Sequence, residues 1–474
     1  MNGTARGRRP PASTATPYRR AGHDPVRRAA LDVLLAVAAR DAYANLLLPR
    51  LLAQRQLAGR DAALATELTY GTLRGRGSYD AVVAICCDRD LGSLDPAVLE
   101  VLRLGAHQLL ATRIGAHAAV ATSVDLVREV AGQRPAGLVN AVLRRVASRD
   151  LPGWLEIVTP ARSADPIGHL AIRYSHPRWI VAAFAAALGE AADGAMAETE
   201  ETLVANNQRP TVHICAVPGL AAREELIAGG CEPARWSPFG GYLADGDPAA
   251  IAAVAEGRAG VQDEASQLAA IAVSRAGGVS PPGGRWLDLC AGPGGKARLL
   301  AALAAGDRAR VAAAEIREQR AGMVRSATSA LGTSVLVADG TRPAWRPRQF
   351  DRVIADVPCS GLGALRRRPE SRWRRTDADI AALRGLQRDL LRSALDAAGP
   401  GGVVGYVTCS PHLAETGEVV ADVLAGVPDI AVLDAPAVLA EVPGLRCGPG
   451  GRYAQFWPHR HGTDAIFLAL LRRG

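Results

Sequence analysis

Apolar residues recur at helical spacing through the first third of the chain. From about residue 24 to residue 148 they return every three or four positions, as Leu31, Leu34 and Leu35 do. This period places apolar side chains on one face of a helix, where they can pack against a neighbour. Asp95-Pro96 adds a helix N-cap followed by a proline in the first turn. The pattern predicts an all-helical domain over residues 23–150.

The pattern changes after Leu151-Pro152-Gly153, where a polar stretch runs to Pro166. Helical and strand-like pieces then mix as far as about residue 270, with turn signals at Gly229-Gly230 and Gly240-Gly241. Glycine pairs of this kind mark turns between regular elements. Residues 165–265 are therefore predicted to form a small α+β subdomain.

The last part of the chain alternates between short apolar runs and helical periods. Runs typical of buried strands lie at residues 286–289, 311–314, 335–337, 353–357 and 403–407, and helical periods lie at residues 297–305, 317–331 and 377–398. Strands that alternate with helices indicate a parallel sheet with crossover helices on its faces. Residues 266–474 are therefore predicted to form an α/β domain, which makes the whole chain a multidomain protein.

Composition excludes several classes of protein. With 49% apolar and 22% charged residues the chain is globular, and no apolar stretch approaches the ~18–20 residues that a membrane-spanning helix needs. Residues 1–22 are basic and lack the apolar run of a secretory signal, so they are predicted to be a disordered arm. The eight cysteines have no CxxC spacing, which favours neither a zinc site nor a disulfide framework and fits a reducing cytoplasm.

The positive charge is carried almost wholly by arginine. The formal net charge is +8, and a single lysine, Lys296, stands among the 55 basic residues. Arginine suits contact with phosphates, although a basic balance alone does not identify a partner. A compact ammonium fits a crowded loop where a planar guanidinium would not. Lys296 is therefore either required by the glycine-rich loop or present there by chance.

Two cysteines occupy matching places in the α/β region. Cys359 and Cys409 each follow a predicted strand, and Asp356 lies just before Cys359. In a doubly wound sheet, ligands bind outside the carboxyl ends of the strands. An isolated cysteine is more often a core residue, but two thiols and an acid at one sheet edge predict reaction chemistry.

A glycine-rich loop follows the first strand of this region and precedes a helix. Its residues are Cys290, Ala291, Gly292, Pro293, Gly294, Gly295 and Lys296. Glycines allow close approach to a ligand, and the helix N-terminus offers free N–H groups. A P-loop is excluded, since Cys290 replaces its first glycine and Ala297 follows the lysine. A permissive dinucleotide match remains, and it leaves a nicotinamide-dependent oxidoreductase open as an alternative.

Acidic residues follow the next two strands. Glu315 lies about 20 residues beyond the glycine loop, at a position where an acid can bind ribose hydroxyls, and Asp339 lies near the end of the following strand. The alternative for Glu315 is a solvated acid at a helix N-terminus.

Taken together, these motifs resemble those of the cytosine-C5 RNA methyltransferases. The resemblance covers a lead-in at residues 260–267, the loop at 288–296, a Pro-Cys motif at 356–361, a basic segment at 363–373 and a Thr-Cys motif at 408–410. Residues 137–145 resemble part of a NusB-like RNA-binding domain. This combination is similar to the bacterial members that act on small-subunit ribosomal RNA. It implies a NusB-like first domain, a Rossmann-like class I methyltransferase domain and S-adenosylmethionine as cofactor.

The resemblance also implies the role of each site residue. Cys409 would add to C6 of a flipped cytosine, Cys359 would assist its release, and Asp356 would contact the N3/N4 edge of the base. The cofactor would lie against the glycine loop, Glu315, Asp339 and Asp356. The implied partner is ribosomal RNA, and unassembled RNA is favoured over the mature subunit. The protein itself is expected to be a cytoplasmic monomer without a metal.

The chain departs from the family pattern in two places. Leu413-Ala414-Glu415-Thr416 stands where the family usually carries Glu-Glu-Asn, and Glu315 replaces a more common aspartate. Neither change removes an expected catalytic group. The basic segment, in which Arg366, Arg367 and Arg368 are consecutive, is predicted to hold the phosphates beside the flipped base, with a solvated loop as the alternative.

Two further interpretations remain. A non-catalytic NusB-like RNA-binding or antitermination-type protein with a degenerate enzyme domain is opposed by the intact Asp356, Cys359 and Cys409. Trp457 fits a pocket wall or RNA contact and plain core packing equally well.

His412, His459 and His461 do not form a spaced ligand set, so no metal site is predicted.

Overall fold

The structure is a computed structural model that describes residues 24–191, 194–278 and 283–474. The chain begins with the helices α1 (Pro25–Arg40), α2 (Ala44–Gln54), α3 (Gly59–Cys86), α4 (Pro96–Ala111), α5 (Ala116–Ala131), α6 (Ala136–Val146) and α7 (Leu151–Val158). Helix α4 is central and contacts α1, α3, α5 and α6, with Val101, Leu102 and Leu104 fully buried. The predicted all-helical domain is confirmed, while the predicted arm at residues 1–22 lies outside the described residues.

The side chain of Asp95 caps α4, as predicted, by accepting a hydrogen bond of 2.8 Å from Ala97 N. Asp24 does the same for α1, accepting from Val26 N and Arg27 N at 3.1 Å. Each aspartate satisfies amide groups that the first turn of a helix leaves free. None of the helices in the described ranges is long and apolar enough to cross a membrane.

The middle of the chain joins helices to a small sheet. Its elements are α8 (Pro166–Arg173), α9 (Arg178–Leu188), α10 (Ala197–Asn207), β1 (Val212–Ala216), α11 (Arg223–Ala228), β2 (Glu232–Pro233), β3 (Gly240–Leu243), α12 (Ala252–Ala255) and β4 (Ala259–Val261). The strands lie in the order β2-β3-β1-β4 and all pairs are antiparallel. The predicted α+β character is confirmed.

The C-terminal part is built on one large sheet. Its elements are α13 (Glu264–Arg275), β5 (Arg285–Asp288), α14 (Gly295–Gly306), β6 (Arg310–Glu315), α15 (Glu318–Thr328), β7 (Ser334–Val337), β8 (Phe350–Asp356), α16 (Asp377–Ala397), β9 (Ala398–Thr408), α17 (Gly417–Leu424), β10 (Ile430–Val432), α18 (Ala435–Val438), β11 (Arg446–Cys447), β12 (Tyr453–Gln455), α19 (Pro458–His461) and β13 (Phe467–Arg473). The strand order is β11-β12-β13-β9-β8-β5-β6-β7, with β10 also on β13.

Five neighbouring strands of this sheet, β9, β8, β5, β6 and β7, are parallel, and β13 adds an antiparallel edge beside β9. The chain order reverses between β5 and β8, which lie side by side. At such a switch point the connections leave the sheet in opposite directions and open a crevice at the carboxyl ends. The fold therefore places the loops after β5, β8 and β9 around one crevice.

Candidate active site

Two glycines shape the loop after β5. Gly294 has φ +117°, which favours glycine, and a Cβ there would lie 2.9 Å from Ala327 Cβ in α15. A Cβ at Gly292 would lie 2.2 Å from Glu315 Oε2. The loop backbone can therefore approach β6 and α15 closely. Helix α14 begins at Gly295, slightly before its predicted start.

The loops after the parallel strands surround a cavity of about 370 Å³, a volume in the range of small-molecule sites. Its wall includes most of the predicted site residues: Cys290, Gly292, Glu315, Asp339, Asp356, Cys359 and Cys409. The remaining residues of the glycine loop lie outside that wall. Ala291 and Gly294 are buried, Pro293 is exposed, and Gly295 and Lys296 begin α14.

The two predicted catalytic thiols meet in this cavity. Cys359 Sγ and Cys409 Sγ are 3.1 Å apart, because β8 and β9 are adjacent and place Asp356 opposite Val407. Hydrogen bonding with Cys409, followed by burial, raises the pKa of Cys359 well above that of an ordinary thiol. Cys359 therefore stays protonated at neutral pH and is a poor nucleophile, because the thiolate is the reactive form of a cysteine.

Lys296 lies against the acid at the end of β8. Its Nζ is 2.9 Å from Asp356 Oδ2, and its side chain is only 11% exposed. Burial alone would lower the pKa of Lys296, but the charge and hydrogen bond of Asp356 outweigh it, and the pKa lies above its ordinary value. The pair thus presents an ammonium and a carboxylate together beside the thiols.

Asp288, the last residue of β5, is a residue to which the sequence interpretation assigned no role. It is fully buried; Oδ1 accepts from Cys290 N at 3.3 Å, and Oδ2 has no hydrogen-bond partner within the described residues. Burial, followed by the charge of Asp356, raises the pKa of Asp288 to about 7. A buried carboxyl group with a free oxygen is suited to a polar or cationic ligand.

The two acids predicted to bind a cofactor stand where β6 and β7 end. Glu315 is buried; its Oε1 accepts from Arg317 N at 3.0 Å, and its Oε2 is 3.6 Å from Arg320 Nε. Asp339 accepts from Thr341 Oγ1 at 2.7 Å and from Thr341 N at 2.9 Å, and these bonds lower its pKa. Asp339 is therefore held ionised, and both acids lie at the cavity wall.

Glu415, within the segment that departs from the family pattern, is fully buried next to the Pro-Cys turn. Its carboxylate accepts from Ser360 N at 2.8 Å, from Ser360 Oγ and from Gln387 Nε2 at 3.0 Å. Gln387 Nε2 also donates to Pro358 O at 2.9 Å. The residues on both sides of Cys359 are thus fixed by one carboxylate and one amide.

The prediction that three consecutive arginines hold RNA phosphates is wrong for Arg366 and Arg367. Both pair with Asp464, with Nε–Oδ1 distances of 3.2 and 2.9 Å, and both also contact Asp263. The two carboxylates are themselves nearly buried and need these countercharges. Arg368 alone is exposed and lines the cavity.

The residues near the C-terminus make structural contacts. His412 Nδ1 accepts a backbone hydrogen bond of 3.1 Å, and His459 Nε2 lies 2.9 Å from a carboxylate oxygen of Glu198. Trp457 is buried edge-to-face against Phe184, so core packing is the correct interpretation of this residue. In the part of the chain that the structure describes, no group of three or more His, Cys, Asp or Glu side chains could hold a metal ion.

Known proteins resemble both halves of the chain. A family model described as 16S rRNA methyltransferase RsmB/F matches residues 280–472, and a model for the NusB family matches residues 24–148. The ribosomal RNA small subunit methyltransferase B of Pseudomonas putida is 32% identical over 94% of this chain and 98% of its own length. The chain belongs to the RsmB/F methyltransferase family. A Mycobacterium tuberculosis relative, named only as a methyltransferase, is 52% identical over 96% of this chain and 98% of its own length.

Solved structures share the fold of this RsmB/F methyltransferase. PH0851 has a TM-score of 0.76 at 23% identity and covers 95% of this chain and 99% of its own. NSun6 from Pyrococcus horikoshii, solved with SFG, has a TM-score of 0.51 at 18% identity and covers 63% of this chain and 98% of its own. Together with the two family models, the shared fold confirms the NusB-like and Rossmann-like domains predicted from the sequence.

S-adenosylmethionine is the cofactor of this family, and the cavity fits it. The glycine loop leaves a cradle that a Cβ at Gly292 would fill. Glu315 and Asp339 offer carboxylate oxygens that can accept hydrogen bonds from hydroxyl groups. Asp288 lies next in sequence to the wall residues Leu289 and Cys290, and its Oδ2 is buried without a partner among the described residues. These residues would hold the cofactor beside the two thiols.

Proposed function

We propose that this RsmB/F methyltransferase methylates C5 of cytosine in small-subunit ribosomal RNA through a covalent adduct of Cys409 with C6 of the base. The observation that carries the proposal is the contact of 3.1 Å between Cys359 and Cys409 in the cavity that fits the cofactor. The names of the relatives support the choice of RNA. The target nucleotide, which we take to lie in unassembled RNA, must leave its stack to reach thiols at the carboxyl edge of a sheet.

The two thiols have different tasks in this reaction. Cytosine C5 is a poor nucleophile, and addition of the Cys409 thiolate to C6 makes it enamine-like. Bound S-adenosylmethionine supplies an electrophilic methyl group. The C5 proton is then lost to solvent, the C6–sulfur bond breaks with its electron pair going to Cys409 Sγ, and the ring regains its aromaticity, so the net change replaces a proton by a methyl group. Cys359, which stays protonated, assists the departure of Cys409.

Asp356 and Lys296 act on the other edge of the base. Addition at C6 builds up electron density on the ring, and it is stabilised by hydrogen bonding at N3 and at the exocyclic amine. Asp356 lines the cavity and can contact this edge, while the Lys296 ammonium 2.9 Å away keeps the carboxylate in place and balances its charge. Asp356 thus contacts the N3/N4 edge of the base, and Cys409 attacks its C6 atom.

Methyl transfer to small-subunit ribosomal RNA transcribed in vitro, and therefore unmodified, tests the proposal. With cofactor labelled in its methyl group, we expect the label in 5-methylcytidine after digestion of the RNA to nucleosides. The variant Cys409→Ala should lose transfer and still bind the cofactor, because Cys409 and the glycine loop belong to separate elements. Label in another nucleoside, or substantial turnover by Cys409→Ala, would refute the corresponding part of the proposal.

The companion variant Cys359→Ala separates adduct formation from release. It should form the C6 adduct but release it slowly, so that a covalent protein–RNA complex accumulates on denaturing gels. Cys447→Ala is a matched control, since Cys447 lies in β11, outside the cavity wall. Normal turnover of Cys359→Ala without any complex would remove Cys359 from the release step.

A further inference from the structure

The N-terminal helices supply part of the wall of the active-site cavity. Tyr43, which precedes α2, lines the same cavity as Cys359 and Cys409. The backbone on either side of Tyr43 is anchored on the C-terminal part of the chain. Ala44 N donates to Glu370 Oε1 at 3.2 Å, and Ala42 O accepts a hydrogen bond from the Arg374 guanidinium. This turn is therefore held at the cavity mouth.

The side chain of Tyr43 is not used for core packing. Tyr43 is 41% exposed, whereas Ala44 next to it is fully buried. Within the described residues no group is hydrogen-bonded to the Tyr43 hydroxyl. Arg368 and Arg374 lie 5.4 and 5.1 Å from the centroid of its ring and fix the ring's position by cation–π contact. An oriented, half-open aromatic ring at the mouth of a cavity is suited to a flat ligand.

The cations around Tyr43 differ from those deeper in the basic segment. Arg366 and Arg367 are neutralised by buried aspartates. Arg368 and Arg375 line the cavity, and neither forms an ion pair within the described ranges. Guanidinium groups without an ion-pair partner, next to an aromatic ring, combine the two features that bind single-stranded RNA: phosphate contact and base stacking.

We propose that Tyr43 is a stacking surface for a nucleotide adjacent to the target base, and that Arg368 and Arg375 bind the phosphates of that nucleotide. The proposal rests on the proposed function, because it takes the cavity to be the pocket of the flipped cytosine. It makes the NusB-like domain a part of the substrate site itself, in addition to any contact it makes with distant RNA. The partner is a single-stranded stretch of the substrate RNA, since a paired base cannot present its face to the ring.

Three variants of one residue test stacking against simple bulk. Tyr43→Phe keeps the aromatic face, Tyr43→Leu keeps apolar volume without it, and Tyr43→Ala removes both. Leu46→Ala is the control, because Leu46 lies in α2, the helix that begins directly after Tyr43, is 57% exposed and is outside the cavity wall. The probe is unmodified small-subunit RNA transcribed in vitro; the readouts are its Kd by filter binding and its KM in methyl transfer, with cofactor affinity by calorimetry as a check on folding.

For Tyr43→Leu and Tyr43→Ala we expect Kd and KM for RNA to rise roughly 5- to 150-fold, the range that stacking of one base on an aromatic ring corresponds to. Tyr43→Phe and Leu46→Ala should stay near the wild type, and cofactor affinity should not change. If Tyr43→Leu matches Tyr43→Phe, the ring serves packing only and the proposal is overturned. The Kd measurement does not need turnover, so it decides on Tyr43 even if the wild type fails to produce 5-methylcytidine.

Discussion

Glu415 is buried below the turn that carries Cys359, and hydrogen-bond donors from Ser360 and Gln387 converge on its carboxylate. A single acid thus determines where the Pro-Cys turn lies relative to Cys409. The sequence interpretation placed this residue in a departure from the family pattern and expected no loss of a catalytic group. The departure keeps the acid whose hydrogen bonds hold the turn.

Replacing this carboxylate should loosen the turn. Hydrogen bonds to a charged group are worth ~1.5–3 kcal/mol, so Glu415→Gln is expected to slow turnover roughly tenfold or more by displacing Cys359. Under the release role proposed for Cys359, covalent protein–RNA complex should accumulate while cofactor affinity stays normal. Glu418→Gln is the matched control, since Glu418 is half-exposed and pairs with Arg384 at 3.1 Å. Unchanged turnover in Glu415→Gln would show that the turn is held by its other contacts.

Asp288 provides a prediction about pH. Burial and the charge of Asp356 raise its pKa to about 7, so the group is mostly neutral below that pH and ionised above it. The ionised form attracts a sulfonium cofactor, and we expect affinity for S-adenosylmethionine to increase as the pH rises through about 7. Calorimetric titrations over this range should show the increase in the wild type. A curve for Asp288→Asn that rises as steeply would assign the effect to another group.

The same group affects stability in the opposite direction. In the unfolded chain an aspartate has a pKa of about 3.9, well below the value in the fold. The fold therefore favours the neutral form, and the stability that this contributes is lost as the pH rises through about 7. Urea unfolding without cofactor should show this loss, and Asp288→Asn should lack it.

Among the elements, the short 3-10 turn Leu362–Ala364 depends on one glycine. Gly363 N donates to Cys409 O at 2.8 Å, and Ala465 N donates to Gly363 O at 2.9 Å. A Cβ at Gly363 would lie 1.9 Å from Ala465 O, which leaves no room for a side chain. The turn therefore joins the end of β9 to the segment before β13 and holds the Cys409 backbone.

Gly363→Ala must separate these segments. Overpacking of this kind typically costs ~1–3 kcal/mol, and we expect a lower urea midpoint together with a loss of methyl transfer, because Cys409 moves with the backbone. Gly385→Ala provides the control. Gly385 lies inside α16, and no atom of the described residues would lie within 4 Å of a Cβ there, so the same substitution should stabilise by ~0.5–1 kcal/mol. Equal effects of the two substitutions would contradict the packing argument.

The elements that carry the site could be predicted from the sequence because their signals are local. Cys359 and Cys409 follow apolar runs that form adjacent strands, and Glu315 ends β6 as its distance from the glycine loop indicates. The basic segment could not be predicted in this way. Whether Arg366 faces RNA or Asp464 depends on a residue almost one hundred positions away, and no local pattern records that pairing.

At the scale of the whole molecule, the first domain is joined to the catalytic domain by the 3-10 segment Pro369–Trp373. Trp373 packs on α3, where a Cβ at Gly77 would lie 2.5 Å from its ring. The sequence predicts that deletion of residues 1–150 weakens RNA binding and leaves cofactor affinity intact. That deletion also removes Tyr43 from the cavity wall, and it removes α3, the helix against which Trp373 packs. Point variants therefore separate RNA contact from domain packing more cleanly.

Arg372 connects the three parts of the chain. It is fully buried, and within the described residues it has no carboxylate partner. Its guanidinium donates to the carbonyl oxygens of Arg74, Ser175 and Asn206 at 3.2, 3.1 and 2.8 Å, and to Asn207 Oδ1 at 2.7 Å. Burial lowers the pKa of Arg372 to about 9, which still leaves it charged at neutral pH.

Substitution of Arg372 should therefore weaken all these junctions at once. Arg372→Met fills a similar volume but leaves buried acceptors without donors, each costing ~1–3 kcal/mol. Arg372→Lys keeps the charge but lacks the planar guanidinium with its several N–H donors, so we expect it to restore little of the lost stability. Both variants should unfold at lower urea concentration. The midpoint from far-UV circular dichroism, which follows the helices, should no longer coincide with the midpoint from tryptophan fluorescence. Arg392→Lys, at an exposed pair with Asp389, should unfold like the wild type. Full rescue by Arg372→Lys would mean that charge, rather than the spread of its hydrogen bonds, holds the domains together.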